Sequence, residues 1–286
     1  MYTTLISASD LAAHIAHIDH PDWLIVDCRH DLMNLAAGRE AYDGGHLPGA
    51  VFADMETELS GEKRGEDGVF RGRHPLPSKV ALIETLRRWG VNDDTQVVAY
   101  DAHGGMYAAR LWWLLRWIGH EASAVLDGGL PAWQALGQPV TLEPPAVRAP
   151  GSIELHAPFV PTVTVAEVLE NIESAQRTVV DARAADRFRG ENETIDPVGG
   201  HIPGARNRFF KDNLQGNGHF KAPEQLREEF ANVIDDPEKA IMQCGSGVTA
   251  CHNLLALEVA GLPGAALYPG SWSEWSADPA RPVAKG

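Results

Sequence analysis

Apolar residues in this chain fall into short β-rich runs that alternate with longer stretches of helical period. Leu24-Ile-Val-Asp-Cys-Arg29, Gln96-Val-Val-Ala-Tyr-Asp101, Thr178-Val-Val-Asp-Ala-Arg183 and Lys239-Ala-Ile-Met-Gln-Cys244 are of the first kind. The stretches 79–89, 107–117 and 251–260 carry the helical pattern. Such alternation predicts an α/β protein with mostly parallel sheets covered by helices on both faces.

The pattern occurs twice, at a spacing of about 150 residues, the size of a whole domain. Leu24–Arg29 pairs with Thr178–Arg183, and Gly45-His-Leu-Pro-Gly-Ala50 with Gly200-His-Ile-Pro-Gly-Ala205. Further along, Gln96–Asp101 pairs with Lys239–Cys244, and Leu126–Trp133 with Tyr268–Trp275. Four blocks in one order predict two copies of one domain, over 1–143 and 162–286. The proline-punctuated stretch 144–161 has no amphipathic period and reads as an extended linker. Residues Asp278 to Gly286 read as a loosely held tail.

Composition narrows the function classes. With 44% hydrophobic and 22% charged residues, the 286-residue chain is ordinary for globular protein. A formal net charge of -15 disfavours nucleic acid, whose binding needs a basic footprint. No apolar run reaches membrane-spanning length and no leader pattern opens the chain, so a cytoplasmic protein with no membrane partner is expected. Cys28, Cys244 and Cys251 are too few for a disulfide framework or a four-cysteine zinc site.

The chemistry concentrates at Cys244-Gly-Ser-Gly-Val-Thr-Ala250. A thiol at the end of an apolar run, followed by two glycines and a helical stretch, predicts a strand, a tight loop and a helix start. Loop amides and the positive helix end then face the sulfur and suit a thiolate nucleophile. The equivalent position in the first copy is Asp101, a carboxylate that cannot carry sulfur by covalent exchange. The first domain is therefore read as a non-catalytic partner whose surface completes a site at the cleft between domains.

Together these blocks, with His74-Pro-Leu-Pro77 and the Cys244 loop, resemble the tandem-domain rhodanese family of sulfurtransferases over nearly the whole chain. The resemblance implies that Cys244 takes a sulfane sulfur from a small-molecule donor, holds it as a persulfide and passes it to cyanide, a thiol or a thioredoxin-like acceptor, with no cofactor. Thiosulfate-type members carry Arg-Lys after the cysteine; the neutral Gly245-Ser246 here matches the 3-mercaptopyruvate type. By the same resemblance Arg187 binds the donor carboxylate, the loop amides of Gly245, Gly247, Val248 and Thr249 cradle the anion, and Ser246, His74 and Glu56 form a polar triad. The family usually has Asp where Glu56 aligns. Its second carboxylate-binding Arg falls in Glu191–Pro197, which contains none, so Arg189, Arg206 or Arg208 stand as replacements.

Plainer roles are expected elsewhere. Cys28 lies inside a strand pattern and Cys251 on the following helix, both as packing residues. His46 and His201 occupy equivalent Gly-His-x-Pro-Gly turns and read as structural, and the tryptophans, Trp272 among them, read as core anchors. Two other activities compete. A cysteine phosphatase needs Arg at the sixth position after the thiol, which here is Ala250. Thiosulfate sulfur transfer is the alternative within the family, and a non-catalytic binding module the reading outside enzymes.

Overall fold

The computed structural model describes residues 1–15 and 22–286. The chain packs as two compact units, each built on a parallel sheet flanked by helices, as the hydrophobic pattern predicts. The first comprises Met1–Ser60, Pro77–Phe159 and Gly216–Phe220; the second comprises Gly61–Leu76, Val160–Gln215 and Lys221–Gly286. The units are thus not contiguous stretches of chain. His74, on the amino-terminal side of the sequence linker, packs with the second.

In the first unit the elements run β1 (Leu5–Ile6), α1 (Ala8–Ile15), β2 (Trp23–Asp27), α2 (Ala37–Asp43), β3 (Val51–Phe52), α3 (Lys79–Arg88), β4 (Gln96–Tyr100), α4 (Ala108–Trp117), β5 (Ser123–Leu126) and α5 (Gly129–Ala135). The strands form a five-stranded parallel sheet ordered β1-β5-β4-β2-β3. β4 is buried at every residue, which is why its run is continuously apolar rather than alternating. α3 begins at Ser78, whose hydroxyl accepts the Ala81 N–H at 3.1 Å. The core includes Leu11, Ile25, Val98, Tyr100 and Trp133.

The second unit continues with α6 (Val165–Ser174), β6 (Thr178–Asp181), α7 (Ala185–Arg189), β7 (Arg206–Asn207), α8 (Pro223–Phe230), β8 (Ala240–Gln243), α9 (Ala250–Val259), β9 (Ala266–Leu267) and α10 (Ser271–Trp275). Its sheet is parallel, ordered β7-β6-β8-β9. A capping box between Thr164 and Glu167 starts α6. The core gathers Val168, Val179, Ile241, Tyr268 and Trp272.

The repeat seen in sequence is a repeat of interlocking parts. Asp27 at the end of β2 holds Arg29, whose Nη2 donates to the Gly45 carbonyl at 2.7 Å. Asp181 at the end of β6 holds Arg183, whose Nη2 donates to the Gly200 carbonyl at 2.6 Å. His46 stacks on Tyr42 and its Nδ1 lies 2.9 Å from the Tyr42 carbonyl; His201 stacks on Phe188 with Nδ1 2.8 Å from the Phe188 carbonyl. Each turn histidine is fully engaged in locking its own unit, the structural role its sequence context indicates.

Two segments behave differently from their composition. Residues 144–159 form neither helix nor strand, yet the chain is tied to the first unit: Gly151 N–H donates to Arg87, Ile153 N–H to Val91 and His156 N–H to Ile118. The expected loose tail is instead anchored. His201 and Ala284 exchange both backbone hydrogen bonds at 2.9 Å, the Trp275 indole donates to the Pro282 carbonyl, and Arg281 donates to the Glu274 carbonyl. Backbone donors that no helix or sheet satisfies find partners here, which proline content alone does not reveal.

Candidate active site

β8 delivers Cys244 to the carboxyl end of its sheet, where ligands of parallel α/β sheets are bound. The loop 244–249 then turns into α9, which is buried from Ala250 through Leu257 and so is fixed in place. Gly247 has φ +78°, a conformation that favours glycine, and a Cβ there would stand 2.3 Å from the Pro269 carbonyl oxygen. This turn aims the Gly247 N–H at Cys244 Sγ, 3.1 Å away. Val248 and Thr249 lead into the helix, their carbonyls accepting the Cys251 and His252 N–H groups at 3.1 and 3.2 Å.

A second loop holds the first from behind. Cys244 N–H donates to Ser271 Oγ at 3.1 Å, Trp272 N–H to the Cys244 carbonyl at 3.0 Å and Ser273 N–H to the Gly245 carbonyl at 2.9 Å. Ser271 adopts φ +54°, strained for a residue with a Cβ, and its hydroxyl also donates to the Tyr268 carbonyl. The Cys251 thiol donates to the Gly247 carbonyl at 3.3 Å, so this buried cysteine braces the loop. Cys28 lies in the first unit, fully buried, its pKa raised by burial and by the nearby Asp27, Asp101 and Glu58 carboxylates. That environment keeps it a thiol, inert as a nucleophile.

The first unit supplies the contrast. At the end of β4, Asp101 turns its carboxylate into its own loop. Oδ1 accepts the His103 and Gly105 N–H groups at 2.7 and 3.0 Å; Oδ2 accepts those of Tyr107 and Ala108 at 2.8 and 3.0 Å. The equivalent loop that presents the Gly247 amide to a sulfur in one unit is filled by a resident carboxylate in the other.

Around Cys244 the second unit assembles several of the residues singled out from sequence. Ser246 Oγ lies 2.8 Å from His74 Nδ1, and both side chains are buried. Arg187, on α7, has one face on Glu193 (Nε to Oε2 3.1 Å, Nη2 to Oε1 2.8 Å) and also reaches Asp196 Oδ2 at 3.1 Å. Burial pushes the Asp196 carboxyl above its ordinary value, although Arg73 and Arg187 beside it pull the other way. Glu56 belongs to the first unit, where its carboxylate lies 3.9 Å from His30 Nε2. Trp272 is fully buried under the Arg183 guanidinium, 4.6 Å from its ring centre.

The arginines expected to replace the missing second guanidinium are engaged elsewhere. Arg189 pairs with Glu191, Arg206 with Asp235 and the Val233 carbonyl, and Arg208 with Glu229 and Asn213. A different residue stands at the loop. Arg73 Nη2 is 2.7 Å from where a Cβ on Gly245 would be, and Arg187 Nη1 is 3.8 Å from the same point. Arg73 Nη1 pairs with Asp196, its backbone N–H donates to Ser273 Oγ at 3.1 Å, and its buried Nε has no hydrogen-bond partner among the described residues. The signal was present in sequence, in the cation directly before His74, but the fold was needed to carry it to Cys244.

Residues 8–136 and 164–278 each match the rhodanese-like domain. The chain belongs to the rhodanese family of sulfurtransferases. Among its relatives, a probable 3-mercaptopyruvate sulfurtransferase of Pseudomonas aeruginosa is 45% identical over 99% of this chain and 98% of its own length. The thiosulfate sulfurtransferase of Bos taurus is 36% identical over 96% of this chain and 92% of its own. Among solved structures, the 3-mercaptopyruvate sulfurtransferase from Leishmania major superposes with a TM-score of 0.83 at 32% identity, covering 96% of this chain and 74% of that one. SseA from Escherichia coli, described as a 3-mercaptopyruvate sulfotransferase, gives 0.79 at 33% identity, covering 95% and 100%. Two rhodanese-like domains are therefore present, and the Cys244 loop belongs to the second. No helix among the described residues is long and apolar enough to cross a membrane.

Proposed function

We propose that this rhodanese-family protein transfers a sulfane sulfur from 3-mercaptopyruvate, through a persulfide on Cys244, to a thiol, cyanide or a thioredoxin-like protein. The observation that carries the proposal is the Cys244-Gly245-Ser246 loop itself: the Gly247 N–H points at the sulfur while the Ser246 hydroxyl two residues on is hydrogen-bonded to His74. In the first step the Cys244 thiolate attacks the donor sulfur. A sulfur–sulfur bond forms, the carbon–sulfur bond breaks, and the electron pair leaves with the carbon fragment as the enolate of pyruvate. Ser246 donates to the developing enolate oxygen, with His74 exchanging the proton that completes pyruvate. Arg187 holds the donor carboxylate, a task suited to a planar guanidinium. In the second step an acceptor thiolate or cyanide attacks the outer sulfur, yielding a persulfide or thiocyanate and restoring the Cys244 thiolate.

Thiosulfate is the second donor to consider, because guanidinium groups beside the loop also suit a dianion. Three free cysteines support a reducing, cytoplasmic setting. The test is direct. Donor-treated protein should gain the mass of one sulfur on Cys244, Cys244→Ser should abolish turnover, and kcat/KM should favour 3-mercaptopyruvate over thiosulfate. Full turnover by the serine variant ends the proposal, and a tenfold preference for thiosulfate, about 1.4 kcal/mol in transition-state binding, reverses the donor.

A further inference from the structure

We infer that Arg73 is the second guanidinium of the donor site, closing with Arg187 on the donor's carboxylate above Gly245, and that Gly245 is glycine because Arg73 occupies the space of its side chain. The inference rests on Cys244 being the sulfur carrier and extends that proposal to a residue outside the segment that supplies this group elsewhere in the family.

Three observations converge. First, the two guanidiniums meet at one place: Arg73 Nη2 and Arg187 Nη1 lie 2.7 and 3.8 Å from the Cβ that Gly245 lacks, one residue along the chain from Cys244. Second, Arg73 Nε is buried without a hydrogen-bond partner among the described residues, and a buried unsatisfied donor costs about 1–3 kcal/mol unless something completes it. A carboxylate has the oxygens to do so; a neutral ligand end has less to offer a charged donor. Third, the guanidiniums are held in register by the protein itself. Asp196 takes Nη1 of Arg73 with one oxygen and Nη2 of Arg187 with the other, Glu193 fixes the Nε edge of Arg187, and Ser273 anchors the Arg73 backbone while its own N–H anchors the Gly245 carbonyl. One serine thus sets the distance between Arg73 and the loop. A fork assembled in this way is pre-organised for an anion.

The arrangement also explains the loop's chemistry. In thiosulfate-type members the cation beside the nucleophile comes from the loop; here it arrives from the segment 61–76 and the loop yields the room. Placing the charge on a separate segment leaves the Ser246–His74 pair free to face the carbonyl of a keto acid while the carboxylate is held by the fork.

Steady-state kinetics of Arg73→Met and Arg73→Lys with 3-mercaptopyruvate provide the test, with competitive inhibition by pyruvate as a second readout. In the Met variant KM should rise at least tenfold and the pyruvate inhibition constant at least fivefold, with kcat within threefold of the parent; the Lys variant should fall between. A KM and an inhibition constant within twofold of the parent in both variants overturn the inference. Gly245→Ala provides the control against misfolding of Arg73 variants, since the added methyl displaces the same guanidinium. It should raise KM in the parent and add little in the Lys background, and full additivity overturns the coupling. Failure of the underlying proposal shows separately, in a parent protein that carries no donor-derived sulfur on Cys244.

Discussion

Cys244 and Asp101 occupy equivalent places and differ by a single functional group. Sulfur in one loop leaves the Gly247 amide pointing at an atom that can accept and release a second sulfur. A carboxylate in the other closes four N–H groups permanently. At the same scale, Ser246 is separable from the nucleophile. Ser246→Ala should lower kcat with 3-mercaptopyruvate by about a hundredfold, the size of one lost electrophilic donor. Thiosulfate has no carbonyl to polarise, so its turnover should change by less than a few fold. Parallel rate measurements with the two donors check this, and equal losses would assign Ser246 to the loop's shape rather than to the reaction. Arg73 and Arg187 belong to this scale too, since what they do depends on which nitrogens their carboxylate neighbours leave free.

Among the elements, the loops matter more than the strands and helices they join. α9 and α4 are buried along most of their length and hold the amino ends of their turns still, but the α10 entry loop sets where Cys244 points. Removing the hydroxyl in Ser271→Ala leaves the buried Cys244 N–H unsatisfied, so urea unfolding of the full chain should show a loss of about 1–3 kcal/mol. A pH effect belongs to the turn between α4 and β5. Burial lowers the pKa of His120 from its ordinary 6.5, while its Nε2 lies 2.8 Å from the Thr95 carbonyl. The unfolded chain therefore takes up the proton first as pH falls. The stability that depends on neutral His120 is complete above about 6.5 and is lost as pH drops through that value toward the folded pKa. His120→Gln should flatten the dependence of the urea midpoint between about pH 7 and 5. The strands 23–27, 96–100, 178–181 and 240–243 were legible because their buried centres, such as 24–26, 97–100, 179–180 and 240–242, write unbroken apolar runs. The anchoring of the tail to His201 was not, since it rests on backbone hydrogen bonds that any side chains permit.

For the whole molecule, duplication left one copy of the loop with a thiol and the other self-sealed by a carboxylate. Asp101→Asn should destabilise the protein by about 1–3 kcal/mol, because an amide NH2, a donor, replaces one of the two carboxylate oxygens that accept loop N–H groups. Sulfur transfer measured well below the melting temperature should be preserved. Calorimetry and turnover on the same sample check both parts, and a stability equal to the parent would mean that the sealed loop needs no resident anion. The two packed units also exchange segments. His74 and Arg73 precede the linker in sequence yet belong to the same unit as Cys244, so dividing the chain at residue 143 would separate Cys244 from both.

Local pattern determined the class of fold, the doubling, the place of the candidate nucleophile and the neutral loop beside it, because hydrophobic period, glycine placement and a lone thiol at a strand end each act over a few residues. Tertiary structure decided the partners. Which arginine reaches Gly245, which serine holds the Cys244 amide and which carboxylates restrain the guanidiniums all depend on contacts between residues far apart in the chain. Arg73 and Ser273 lie 200 positions apart, and the packing of one unit brings them within hydrogen-bond distance.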